Sequence, residues 1–461
     1  MALKRLLIAN RGEIAVRIQR AARELGLTTI QAHSAADRDS LAVRMADEAV
    51  EIGPPAAAKS YLNAAALLDA AKRTGADSVH PGYGFLSENA DFADAVEAAG
   101  LVFVGPRGDT IRRMGDKAAA REAAKAAGVP VVPGSEGKLT DHAEAARLAE
   151  AVGYPLMIKA AAGGGGRGIR VVTEPQGFEG AFDQAAAEAK AAFGDGSLYL
   201  EKFIGRARHV EVQVLGDGRD AVHFFERECS LQRRRQKVWE EAPAAALPLQ
   251  ARAALCASAV ALAKSVGYRG AGTLEYLYDD ATGAFYFIEM NTRIQVEHPV
   301  TEMIASVDLV REMLRIAGGE PLRWKQADIV ARGHAIEARI NAEDPDLDFR
   351  PSPGTISSLE VPGGPGVRFD SLLYPGYAVP PFYDSLLGKL IVWDETRDAA
   401  LARMRRALAE LKIEGVATTA KLHKRLAADP EVASGAVHTR WLEHWLAAAK
   451  NEASMKKETD R

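Results

Sequence analysis

Short apolar runs alternate with stretches of helical periodicity over the first 105 residues. Leu6-Leu7-Ile8-Ala9 has the profile of a buried strand. Ile14, Ile18, Ala21 and Leu25 then recur on one helical face until Gly26 supplies a stop. Thr28 to Ala32 gives the next strand pattern, Tyr61 to Arg73 a helix, and Ser78-Val79-His80 a short strand. A further helix pattern runs from Ser87 to Ala99 and leads into the strand Leu101-Val102-Phe103-Val104. Regular alternation of strand and helix predicts a parallel, doubly wound sheet. Ligands on such sheets sit at the carboxyl ends of the strands, where the loop His80-Pro81-Gly82-Tyr83-Gly84 falls.

The pattern changes after residue 116. An alanine-rich helix spans Lys117 to Ala127, Gly128-Val129-Pro130 ends it, and Pro133-Gly134 turns the chain. A small separate unit of about 131–203 then combines a helix (Asp141 to Val152), the strand Pro155 to Ala160, a glycine run, the strand Ile169 to Thr173, a second helix and the strand Leu198-Tyr199-Leu200. From 204 the pattern is strand-rich: His209 to Leu215, Ala221 to Glu226, Gly272 to Tyr278 and Phe285 to Met290. From about Gly333 to Leu446 short strands mix with a closing helical stretch, and residues 447–461 read as a charged, frayed tail.

A chain of 461 residues divides into two to four domains. Its 48% hydrophobic and 26% charged residues are those of a globular protein and exclude disorder. A net charge of -4 gives no global basic field for nucleic acid or anionic membrane, so any anion site must be built locally. Cys229 and Cys256 are too few for a disulfide framework, which suits a reducing compartment. The apolar run Leu6 to Ala9 is too short for a signal peptide or a membrane span. The expectation is a cytoplasmic protein with no membrane and no nucleic-acid partner.

Candidate chemistry gathers in three places. Gly163-Gly164-Gly165-Gly166-Arg167-Gly168 joins one strand to another, and so many glycines let backbone N–H groups close on a phosphate. Taken alone the run is equally a flexible hairpin tip. Strand on both sides excludes the dinucleotide fingerprint, and no Gly-Lys-Ser/Thr follows for a P-loop. Lys159 ends the strand feeding the run and sets a cation beside it, which favours a polyphosphate.

Glu275 lies on one strand and Glu289 with Asn291 on the next, joined by the turn Asp279 to Gly283 as a hairpin. Residues two apart share a face, so two carboxylates and an amide converge, a hard-oxygen set that fits Mg²⁺ bridged to phosphate. A solvated sheet face would carry charges too, but both strands are otherwise apolar. Continued extension would put Glu289, Asn291, Arg293, Gln295 and Glu297 in one row, with Met290, Ile294 and Val296 toward a core. The third place is the basic run Gln232 to Lys237, where alternation would put Arg233, Arg235 and Lys237 on one side. Such runs are commonly solvated faces.

Several stretches together resemble biotin carboxylase, the ATP-grasp subunit of acetyl-CoA carboxylase and its relatives. They are Ala9-Asn10-Arg11-Gly12-Glu13-Ile14-Ala15, His80 to Asn89, Met114-Gly115-Asp116-Lys117, the glycine run, and Glu289-Met290-Asn291-Thr292-Arg293-Ile294-Gln295-Val296-Glu297-His298. The resemblance runs from about residue 3 to about 446. It implies an α/β and α+β ATP-grasp fold in three parts: a Rossmann-like domain at 1–116, an ATP-grasp domain at 117–330 with its mobile lid at about 131–203, and a mixed C-terminal domain at 331–446.

The resemblance also implies roles. ATP would be met by Lys117, Lys159, Gly165, Gly166, Glu201, Lys202, Phe203, Ile204, His209 and Gln232, and the metal by Glu275, Glu289 and Asn291 as Mg²⁺ or Mn²⁺ ligands. Bicarbonate would lie on Lys237, Arg293, Gln295 and the Val296 backbone, with Glu297 as general base. Arg339 and Tyr83 would meet biotin. The reaction implied is ATP-dependent ligase chemistry of the kind that opens fatty acid biosynthesis. Where the family usually has histidine this chain has Arg235, expected to serve ATP through the ribose or a phosphate. Met455-Lys456 is not flanked as a biotin-accepting lysine would be, so biotin must arrive on a separate carboxyl carrier protein, with carboxyltransferase subunits as further partners and a homodimer as the family's habit. The competing readings are a carbamate-forming ATP-grasp ligase and a silent assembly subunit. The second is disfavoured because every site residue is present.

Overall fold

The computed structural model describes residues 3–161 and 169–449. The chain divides into two compact units, one formed by residues up to 129, 208–276 and those from 289 onward, the other by 130–207 with 277–288.

The first unit begins with a five-stranded, all-parallel sheet in the order Glu48–Gly53, Thr28–Ser34, Arg5–Ile8, Ser78–His80, Val102–Phe103. The helix Gly12–Glu24 buries Ile14, Ile18 and Ala21 against it, as the periodicity requires. Two helices start later than their apolar pattern does. Asn63 and Asn89 accept from the N–H groups of Ala66 and Phe92, and these caps fix the helices at Ala64–Thr74 and Ala90–Ala98. The edge strand Glu48–Gly53 buries only Val50 and Ile52, too weak a pattern to read in sequence. At the carboxyl end of the central strand, Asn10 Nδ2 donates to the carbonyls of Pro81 (2.6 Å) and Tyr83 (2.7 Å). Gly82 adopts φ +64°, and a Cβ there would lie 2.8 Å from Asn10 Nδ2, so only glycine lets the loop close on this clamp.

An eight-stranded sheet carries the rest of the site. Its order is Phe285–Asn291, Arg269–Asp279, Ala207–Asp217, Ala221–Arg233, Gln236–Ala242, His334–Asn341, Leu386–Asp394, Val367–Ser371. Ile336, Ala338 and Leu390 meet Leu401, Met404 and Leu408 of the helix Arg397–Glu410 in one core. Among the described residues no helix is long and apolar enough to cross a membrane.

Two local expectations fail here. The chain does not stay extended through Glu297: the strand ends at Asn291, and Glu297 is the N-cap of the helix His298–Ala305, which has Pro299 in its first turn. Val296 therefore lines a cleft instead of facing a core. The basic run does not alternate along one strand either. Arg234 and Arg235 take φ +49° and +65° as the two-residue tip of a hairpin between Ala221–Arg233 and Gln236–Ala242. Arg233 turns to stack on Phe349, with 4.0 Å from guanidinium carbon to ring centroid, while Lys237 enters the cleft.

The second unit holds a three-stranded antiparallel sheet, Ile169–Val172, Leu156–Ala160, Leu198–Lys202, covered by the helices His142–Val152 and Phe178–Phe193. Leu156, Ile158, Phe178, Phe182, Leu198 and Leu200 form its core. The glycine run at 163–168, with Gly165 and Gly166, lies outside the described residues.

Candidate functional site

The polar alternation His209, Glu211, Gln213 along Ala207–Asp217 points one row of side chains off a strand whose intervening Val210, Val212 and Val214 are buried. Glu211 lies at the centre. One oxygen accepts from Arg227 Nε at 2.5 Å and the other from Lys237 Nζ at 2.5 Å. Lys237 also donates to Glu275 Oε1 (2.9 Å) and Glu297 Oε1 (2.6 Å), so one ammonium holds three carboxylates. Arg227, fully buried, spreads its five N–H groups over Glu211, Gln213, Thr301, Thr273 and Gln295. Gln295 in turn donates to Glu275 Oε1 at 2.9 Å, as does Asn291 at 2.9 Å. Arg339 bridges Glu240 (2.6 Å) and Glu297 (2.8 Å).

Of these groups His209, Lys237, Glu275, Asn291, Gln295, Glu297 and Arg339 line a cleft of about 980 Å³ that also takes in Tyr83, Arg235, Glu289 and Arg293. Arg293 is held by Glu88 (2.8 Å) and by Asn291 Oδ1 (2.8 Å). The Val296 peptide is fixed by Lys389 Nζ on its carbonyl at 2.8 Å. The Tyr83 hydroxyl donates to Glu13. His209 meets Glu275 at 3.1 Å, and its Nδ1 pairs with Gln232 at 2.9 Å. Lys117 begins the helix Lys117–Ala126 as an exposed side chain beyond the cleft lining.

Charge within the cluster is set by competition between burial and partners. Burial resists ionisation of Glu297, but Lys237 holds its carboxyl below the ordinary range. Burial opposes the charge on Lys237 as well, and Glu211 and Glu297 carry it well above the usual lysine value. His209 loses to burial and gains from Glu275, ending at about 9. Glu289 differs. Its side chain is exposed, it has no hydrogen-bond or ion-pair partner among the described residues, and partial desolvation and then Glu275 push its carboxyl upward against the pull of Lys117. With its oxygens free of partners, Glu289 joins Glu275 and Asn291 as a set of hard oxygen donors that could hold a magnesium-type ion. In the clusters of Glu211 with His209 and Glu275, and of Glu211 with Cys229 and Glu297, the Lys237 ammonium offsets part of the negative charge, that of Glu275 included.

In the second unit the Lys159 ammonium pairs with Glu201 across adjacent strands. Lys202 donates to the carbonyls of Gly153 (3.1 Å) and Tyr154 (3.0 Å), and Phe203 and Ile204 are half-buried beside it. Sequence reasoning passed over Glu88, Glu211, Arg227 and Glu240, which hold the others in place. Glu211 was findable, because the row His209, Glu211, Gln213 has the same period-two signature as Glu289 and Asn291. Cys229 and Cys256 are buried free thiols, as packed cysteines should be.

The site can now be set beside known proteins. The family model for the biotin carboxylase N-terminal domain matches residues 2–111, that for the carbamoyl-phosphate synthase L chain ATP-binding domain 116–325, and that for the biotin carboxylase C-terminal domain 337–444. The biotin carboxylase of Pseudomonas aeruginosa is 55% identical over 97% of this chain and 100% of its own. This chain belongs to the biotin carboxylase family. Among solved structures, the biotin carboxylase domain of a thermophilic 2-oxoglutarate carboxylase bound to bicarbonate matches with TM-score 0.92 and 46% identity, covering 96% of this chain and 98% of that one. The dimeric Hydrogenobacter thermophilus domain in complex with MgADP, ADP and bicarbonate matches with TM-score 0.86 and 48% identity over 96% and 98% of the two chains. The likeness extends through the whole ATP-grasp architecture and agrees with the fold class expected from sequence.

Proposed function

We propose that the chain is an ATP-dependent ligase that carboxylates biotin, and that its cleft joins bicarbonate to ATP first. The observation that carries the reading is the Lys237 ammonium held among Glu211, Glu275 and Glu297, with Arg339 bridging from Glu297 to Glu240. Such a cluster presents an ionised carboxylate base next to cations that an anion can share.

Lys237, Arg293, Gln295 and the Val296 backbone would bind bicarbonate. Glu297, ionised at neutral pH, would take its proton as a bicarbonate oxygen attacks the γ-phosphorus of ATP and ADP leaves. Lys117, Lys159 and Arg293 would neutralise charge spreading over the transferring group, with Gly165, Gly166, Glu201 to Ile204, His209, Gln232 and Arg235 as nucleotide contacts. A divalent cation held by Glu275, Glu289 and Asn291 would supply further neutralisation of phosphate oxygens when bound. The carboxyphosphate would release CO₂ and phosphate. The phosphate would take the biotin N1′ proton, Arg339 would stabilise the enolate with Tyr83 beside it, and N1′ would attack CO₂. A separate biotin carrier, carboxyltransferase subunits and a second copy of the chain complete the proposed assembly. Its divisions would be 1–116, 117–330 with a closing lid, and 331–446.

The test is ADP release from MgATP. We expect it to require bicarbonate and to rise with free biotin. ADP that never depends on bicarbonate, or that ammonium stimulates and biotin does not, would overturn the reading in favour of a carbamate-forming or other ligase.

A further inference from the structure

Glu240 and Glu337 sit directly opposite each other on the antiparallel strands Gln236–Ala242 and His334–Asn341. Both are fully buried. Opposed residues in such a ladder bring their Cβ atoms to about 4.5–5.5 Å, so the two carboxyls confront each other. Only one of their four oxygens has a partner, Glu240 Oε1, which accepts from Arg339 Nε at 2.6 Å. Glu240 Oε2 and both oxygens of Glu337 have none.

The charged groups around Glu337 do not repair this. Lys389, opposite Arg339 on Leu386–Asp394, spends its ammonium on the Val296 carbonyl (2.8 Å) and Glu13 (3.1 Å). Arg339, two residues along from Glu337 and so on the same face, is shared between Glu240 and Glu297. His298, at the start of its helix, is held neutral by burial and by Lys389, Arg17 and Arg368. Asp370, opposite Lys389 on Val367–Ser371, is paired to Arg368 at 2.6 Å. Lys237, which also acts on Glu240, is held by Glu211, Glu275 and Glu297, and two buried carboxylates with three bare oxygens and no free cation among the described residues are not both ionised.

We propose that Glu240 and Glu337 share one proton and that this proton positions Arg339. With Glu337 neutral, Glu240 alone anchors the guanidinium on its Nε edge and leaves the other edge for Glu297 and biotin. Loss of the proton would set a second negative charge on the same strand face and draw Arg339 back into the sheet. Burial raises Glu240 to about 7 against the pull of Arg339, and Glu337 well above the carboxylate range against that of Lys389, so the pair would lose its proton on the alkaline side of neutrality. Neither residue touches a reacting atom, which makes both positioning residues. The inference rests on the reading of Arg339 as a biotin contact.

Two measurements test it. The first compares the KM for biotin across pH in wild type and Glu337→Gln, with each pH point paired so that substrate ionisation cancels. We expect the wild-type KM to rise by about tenfold per pH unit above the pair's apparent pKa, and that rise to be absent in the variant. Superimposable profiles would overturn the proposal. The second is an infrared pH titration of the carboxylic-acid carbonyl band, which needs no activity. We expect a band in wild type at neutral pH that is lost in Glu337→Gln and titrates at lower pH in Glu240→Gln, where the like charge is gone. A band set unchanged in both variants would refute the shared proton. If Glu337→Gln does not fold, the shift in Glu240→Gln decides alone. A protein with the band but no biotin-stimulated ADP release would sink the functional reading and leave the proton pair standing.

Discussion

Replacing Arg227 by lysine keeps the charge and removes the fork. The guanidinium donates to Glu211 (2.5 Å), Gln213 (2.8 Å), Thr301 (3.0 Å), Thr273 (3.0 Å) and Gln295 (2.7 Å), all inside the fold. An ammonium has three donors, so at least two buried acceptors lose their partners. Each orphan costs about 1–3 kcal/mol, so Arg227→Lys should destabilise by about 2–6 kcal/mol. The functional consequence runs through Gln295, whose Oε1 is held by Arg227 while its amide nitrogen donates to Glu275. Freed on one side, that amide can rotate out of the proposed bicarbonate site. The assays are equilibrium urea denaturation and the KM for bicarbonate at saturating ATP, with a rise of about tenfold expected for the loss of one bond worth about 1.4 kcal/mol. A variant within about 0.5 kcal/mol of wild type with an unchanged KM for bicarbonate would refute the reasoning, because it would mean that charge alone, without the five-fold geometry, suffices.

Two further outcomes follow from other parts of the molecule. Arg235 lines the cleft at the hairpin tip, so Arg235→His should change the KM for ATP by severalfold with little effect on stability, and identical ATP kinetics would remove its nucleotide role. Glu241 accepts a two-bond clamp from Arg397 (2.7 and 2.9 Å) and a bond from His334 (3.0 Å), and these partners outweigh burial to hold its carboxyl far below the ordinary range. A depressed carboxyl stabilises the fold above the unfolded value of about 4.3 and loses that contribution as pH falls. Glu241→Gln should therefore cost about 3–5 kcal/mol in urea at neutral pH and progressively less in acid, and a cost independent of pH would contradict the assignment.

The parallel sheet was legible because both its faces are buried, which leaves unbroken apolar runs such as Leu6 to Ile8. The strand pair that carries Glu275, Glu289 and Asn291 was legible because strand alternation is a local property and the hairpin turn lies within the same short stretch. What stayed hidden was non-local. The reach of Lys237 to Glu211, Glu275 and Glu297 depends on which strands become neighbours in the eight-stranded sheet, and no window of sequence encodes that order. The break at Asn291 was missed because Arg293, Gln295 and Glu297 keep a two-residue period while the backbone turns toward a helix with Pro299 in its first turn. The Arg234–Arg235 tip was missed for the opposite reason, since neither residue is one that normally marks a left-handed turn. Glu240 and Glu337 lie far apart in sequence, and the register between their strands is what sets them opposite each other.

The central claim is that Glu297 is the base for bicarbonate, and Glu297→Gln with MgATP, bicarbonate and biotin tests it directly. The glutamine keeps the size of the side chain and removes the proton acceptor, so kcat for ADP release should fall by about 10²–10⁴-fold while the KM for ATP stays within about twofold. Turnover equal to wild type, with bicarbonate still required, would contradict the account.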